Sequence, residues 1–111
     1  MKRLSMILSM VLVASVMFAQ GIAFEPEGTL LPQAAAKAKK ENKLVFVDCY
    51  TQGCGPCKKM ARDIFPDAKV GEYMNPKFVN LKIDMEADYA QGLSKEWQVS
   101  GYPTFIIFNA D

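Results

Sequence analysis

Hydrophobic residues fall along this chain in three different rhythms, and each predicts a different element. From Leu4 to Ala19 the run is uncharged and nearly continuous, preceded by Lys2 and Arg3. It is too short to cross a bilayer comfortably and reads as a secretory leader. Cleavage after Ala19 leaves Met17 at the third position back, whereas cleavage after Ala23 leaves the smaller Gly21 there. Small residues at both positions favour Ala23, so the expected division is a signal peptide over residues 1–23 and one domain over residues 24–111.

Beyond the leader, QAAAKAKKEN holds good helix formers, with Pro32 suited to a first helical position and Lys37, Lys39 and Lys40 to the last turns. A helix over Pro32 to Glu41 follows. LVFVDCY, Leu44 to Tyr50, is apolar on both faces except for Asp48, as a central strand covered on both sides should be. From Cys57 the apolar residues Cys57, Met60, Ala61, Ile64 and Phe65 share one helical face, and Lys58, Lys59, Arg62 and Asp63 take the outside. Pro66 ends or kinks that helix, and DAKVGEYMN adds a further turn or two.

In FVNLKID the period becomes two, with Val79, Leu81 and Ile83 apolar and Asn80, Lys82 and Asp84 polar. Strand, helix and strand make a right-handed parallel crossover. Tyr89, Leu93 and Trp97 recur every fourth residue on a third helical segment, and TFIIF, Thr104 to Phe108, is expected to be another buried strand. Turn-forming Asn109, Ala110 and Asp111 follow it directly, although an edge that apolar is normally paired by one more strand. A C-terminal strand and helix are therefore expected to be missing from this chain.

Composition narrows the choice of chemistry. The 111 residues suffice for one small α/β domain, and 13 basic against 12 acidic side chains recruit neither nucleic acid nor an acidic membrane surface. A monomer is expected. The cysteines are Cys49, Cys54 and Cys57, an odd count that leaves at least one thiol free or reactive in an oxidising compartment. A zinc site fails on inventory, because the chain has no histidine and Cys49 lies on a different element. No metal and no cofactor is expected.

The stretch TQGCGPCKKM carries the candidate chemistry. Helical register puts Cys57 on the apolar face and Cys54 just ahead of the helix, so Cys57 is shielded and Cys54 exposed. A thiol at a helix start, with Lys58 and Lys59 nearby, is favoured as the thiolate and is the candidate nucleophile. Cys57 is the candidate resolving thiol, which displaces a substrate from Cys54 and closes a disulfide. Gly55 permits close approach, and Pro56 presets the first turn. Asp48, a carboxylate in an apolar strand, should have a raised pKa and is the candidate acceptor for the Cys57 proton. Alternation places Cys49 on the opposite strand face, as a small buried core residue.

With these residues in view, LVFVDCYTQGCGPCKKM followed by VSGYPTFIIF resembles the thioredoxin superfamily over roughly Gln33 to Asp111. The resemblance implies a thioredoxin-like fold, a central mixed sheet flanked by helices. It also implies a cis peptide between Tyr102 and Pro103 facing the cysteines, where the backbone at Tyr102 would pair with an extended substrate. Gly53 departs from the family's usual tryptophan before the first cysteine, and the family's buried lysine near the aspartate falls at Asn80. The proton-transfer assignment then rests on Asp48 alone. The implied activity is thiol-disulfide exchange through a Cys54-Cys57 pair, with Gly-Pro between the cysteines resembling the family's reductants. A reductase in the periplasm would draw electrons from a membrane donor and act on disulfide-containing exported proteins or apocytochromes. Secretion is the alternative location. The competing activities are a disulfide isomerase or oxidase, and a non-enzymatic binding module with a structural disulfide.

Overall fold

Leu44–Tyr50 forms the middle strand, β1, because it carries the longest run of side chains that need cover on both faces. The computed structural model describes residues 20–111; the expected leader lies outside the described residues up to position 19. Helix α1 (Leu31–Glu41) precedes β1, with Gln33 Oε1 accepting the Leu30 amide at 2.7 Å and Asn42 closing the other end in the left-handed region. After β1 come α2 (Gly55–Lys59), a π-helical continuation (Met60–Ile64) and α3 (Ala68–Met74), capped by the Asp67 side chain. Strand β2 (Phe78–Asp84), a 3₁₀ turn (Asp88–Ala90), α4 (Leu93–Glu96) and β3 (Thr104–Phe108) complete the order.

Among the described residues the sheet runs β2-β1-β3, with β2 parallel and β3 antiparallel to β1. Register divides it into two faces. One carries Val45, Val47 and Cys49 with Val79, Leu81 and Ile83, and packs with Ala34 and Ala38 of α1 in the main core. The small alanines let α1 lie close to the strands. The other face carries Phe46 and Asp48 beside Asn80, Lys82 and Phe105. It is roofed by Phe65, whose ring lies 5.2 Å from Phe24 and 6.2 Å from Phe105.

Three expectations need correction. TFIIF packs on the main core through Ile106 and Phe108 only; on the second face Phe105 and Ile107 stay 44% and 58% exposed, with Phe65 reaching just the Phe105 ring. Ile64 is exposed rather than inward-facing. The Phe65 amide bonds Met60 O at 2.9 Å, and this wider turn shifts the register by about one residue, so that Phe65 replaces Ile64 over the sheet. On β2, Asn80 and Asp84 are buried as well: the Phe24 segment bridges Asn80, and Gln52 donates to the Asp84 carboxylate. Tyr89, Leu93 and Trp97 all pack on the core, but from two short elements separated by Gly92 at φ +88 instead of one helix.

Phe65 ties the π turn, the N-terminal segment and β3 together. Phe65→Ala is expected to cost about 3–5 kcal/mol of stability, read as a lower midpoint in denaturant unfolding of the oxidised protein.

Candidate functional site

Strand β1 delivers its C-terminal end to the loop that carries the cysteines. The loop is tied down on both sides: Cys54 N donates to Thr51 O at 3.3 Å, and Gln52 Nε2 donates to Asp84 Oδ2 at 3.1 Å. Cys54 is the N-cap of α2, with Pro56 in the first turn, and its Sγ accepts the Cys57 amide at 3.1 Å. Cys54 and Cys57 are joined as a disulfide with their Cα atoms 5.2 Å apart. Cys57 is buried, Cys54 is partly exposed, and Gly53, Gly55 and Pro56 lie open to solvent around them. Lys58 and Lys59 also face solvent, so the hydrogen-bond donor on the Cys54 sulfur is the backbone amide.

Tyr102-Pro103 is a cis peptide, in agreement with the resemblance. β3 begins at Thr104, opposite Cys49 near the exit of β1, so Tyr102 and Pro103 lie at the same end of the sheet as the cysteine loop. Thr104 Oγ1 donates to Gly101 O at 2.6 Å and fixes the turn before them.

Asp48 is 2% exposed, and its Oδ1 has no hydrogen-bond partner among the described residues. Burial pushes its pKa from 3.8 up to about 6, and the charge of Lys82 opposes the rise. Lys82 is a functional candidate that the sequence reading missed. It stands directly opposite Asp48 in the β1-β2 register. Its ammonium lies 4.9 Å from the Tyr50 ring centre, 5.8 Å from Phe24 and 5.9 Å from Phe65. Three rings at cation-π distance hold the charge close to the carboxyl without a direct ion pair. Lys82 and Cys57 also line one recess of about 240 Å³, with Tyr50, Thr51, Gln52, Lys58 and Ala61.

The position matched to the family's lysine does something else. Asn80 Nδ2 donates to Phe78 O at 3.3 Å and to Asn75 Oδ1 at 3.4 Å. The cation therefore reaches Asp48 from two residues further along β2. Cys49 is fully buried on the opposite face, and burial, followed by the charge of Asp48, raises its thiol to about 11. It is an inert core residue. Among the described residues no group of three or more His, Cys, Asp or Glu side chains is placed to hold a metal ion.

Comparison with known proteins fits this geometry. Residues 28–110 match the family model described as thioredoxin-like, and the chain belongs to that family. The solution structure of a candidate disulphide-isomerase from Bacteroides thetaiotaomicron is 45% identical and superposes with a TM-score of 0.71, covering 84% of this chain and 75% of that one. Thioredoxin of Echinococcus granulosus is 35% identical over 75 residues, which is 68% of this chain and 64% of that protein. Protein disulfide-isomerase 1 of Dictyostelium discoideum is 38% identical over 68 residues, 61% of this chain and 19% of that protein. The chain thus spans less than a fifth of the disulfide-isomerase it matches.

Because Asp48 holds its proton more tightly folded than unfolded, its contribution to stability is full below pH 3.8 and is lost as pH rises through about 6. Asp48→Asn removes that loss. The variant is expected to exceed the parent by up to about 3 kcal/mol at pH 8 and to match it near pH 3.5, measured by denaturant unfolding of the oxidised forms. Lys82→Met removes the opposing cation, so the same pH step should move above pH 6; an unmoved midpoint would show that Lys82 does not act on Asp48.

Proposed function

We propose that this chain is a thiol-disulfide oxidoreductase that reduces disulfides in exported proteins. The observation that carries the reading is the Cys54-Cys57 disulfide itself, with one sulfur accessible and the other shielded at the start of a helix. In the reduced protein, the Cys54 thiolate attacks one sulfur of a substrate disulfide and expels the other as a substrate thiolate. The Cys57 amide that bonds Cys54 Sγ stabilises that thiolate. Cys57 then gives its proton to Asp48, attacks Cys54 and releases the second substrate thiolate. Two electrons have passed to the substrate, and the cysteine pair is oxidised.

Asp48 suits this role because a carboxyl with a pKa of about 6 takes up and releases a proton near neutrality. Tyr102 and Pro103 form the shelf on which an extended substrate segment would pair. Gly53 leaves the approach to Cys54 without an aromatic side chain, which suits bulky protein substrates. No cofactor enters the cycle, since the sulfurs carry the electrons. Return to the dithiol needs a dithiol donor, and for a periplasmic monomer that donor is a membrane protein drawing on the cytoplasm. The substrates are periplasmic proteins with wrongly formed disulfides, or apocytochromes awaiting haem.

A structural staple is the weaker reading, because a staple has no use for a buried carboxyl with an unpartnered oxygen. The isomerase reading draws on the names of the relatives, and the redox potential separates it from the reductase. A reductase pair lies near the thioredoxin value of about −270 mV and an isomerase pair near −180 mV. Equilibration in glutathione buffers, followed by alkylation and mass spectrometry, is expected to give the lower value, with Cys49 unlabelled unless the protein is unfolded.

Cys54→Ser is expected to abolish reduction of a disulfide substrate such as insulin, whereas Cys57→Ser should accumulate the mixed disulfide on Cys54. Turnover that survives in Cys54→Ser would defeat the mechanism. Asp48→Asn should slow the resolving step by roughly 10²-fold near pH 7, observed as a longer-lived mixed disulfide.

A further inference from the structure

Residues 20–25 lie across the edge of the sheet as a strap. Ile22 N donates to Phe65 O at 2.8 Å, Ala23 N to Asn75 Oδ1 at 2.9 Å, and Asn75 Nδ2 to Gly21 O at 3.1 Å. Phe24 then bridges Asn80 in parallel with β2, and Glu25 N donates to Asn80 O at 2.9 Å. The Glu25 carboxylate accepts from Lys37 of α1 at 2.7 Å.

Two glycines show how closely the strap is seated. A Cβ on Gly21 would be driven into the backbone of Phe65 and Pro66, and one on Gly71 of α3 into the backbone of Gln20 and Gly21. Glycine on both sides of a backbone-to-backbone contact marks a built junction. The strap ends in Phe24, one of the three rings around Lys82.

A leader cut after Ala23, which small-residue spacing favours, would remove Gly21 and with it the Ile22 and Ala23 donors. The two glycine contacts would be lost, and Asn75 would keep only the Asn80 amide on its Oδ1, at 3.4 Å. We infer that the leader is removed ahead of Gln20, and that Gln20–Glu25 remains in the mature protein as a structural strap that seats Phe24 against Lys82. The inference rests on the export reading proposed above. Cleavage between Ala19 and Gln20 keeps alanine at the position before the cut and accepts Met17 at the third position back.

The test is to express the full chain in a Gram-negative host and determine the N-terminus of the periplasmic protein by intact mass and peptide sequencing. The expected species begins at Gln20, free or cyclised to pyroglutamate. A periplasmic protein that begins at Phe24 overturns the inference and leaves the export reading standing, while retention of Met1 in the cytoplasm overturns both. Amide exchange gives a second readout on the processed protein. Ile22 and Ala23 should be protected at least ~10-fold over an unstructured peptide, and exchange at the unstructured rate would show that the strap is not seated and overturn the inference.

Discussion

Burial of the Asp48 carboxyl in the central strand is the constraint on which the rest of this structure depends. A carboxylate taken out of water without a full set of partners is costly, and here one oxygen has none among the described residues. The surrounding arrangement keeps that cost at a tolerable level without cancelling it. Lys82 lies across the ladder, close enough to be felt by the carboxyl, yet its charge is shared with Tyr50, Phe24 and Phe65. A direct ion pair would hold the proton off Asp48 at neutral pH, and an apolar neighbour would hold it on. The observed placement leaves the group near the middle of its range.

The same aromatic layer explains why the helix after the cysteines is not a plain α-helix. Phe65 must reach Phe24 and Phe105 while Cys57 stays against the strand, and an α-helical register would put Ile64 there instead. The π turn reconciles the two demands. Through Phe65, the N-terminal strap, the cysteine helix and β3 bear on one another at a single side chain, so the site and the sheet edge share their packing.

Much of this was legible in the sequence because the signals were local. The two-sided apolar run of LVFVDCY has no place except mid-sheet, and a lone Asp48 in it announces its own cost. CGPC with YPT carried the family and the position of the cis peptide. What escaped notice depends on residues far apart in the chain. Lys82 reads as the solvent side of an alternating strand, and only the convergence of Phe24, Tyr50 and Phe65 turns it inward. The burial of Asn80 and Asp84 was out of reach for the same reason, since burial of an edge strand is decided by what lies over it. An apolar run such as TFIIF cannot say which of its faces is covered, and here only one is.

The hydrogen bond from the Cys57 amide to the Cys54 sulfur has a consequence for the energetics of the redox cycle. Most helix caps are oxygen atoms whose chemistry never changes, but this cap is an atom that gains and loses a bond. As a disulfide sulfur it is a weak acceptor, and as a thiolate it would be a strong one for the same amide. The anchor of the first helical turn is thereby made to depend on the charge of the sulfur. An anchor that strengthens with reduction favours the dithiol form of the pair and ties the redox state of the sulfurs to the hold on the helix start.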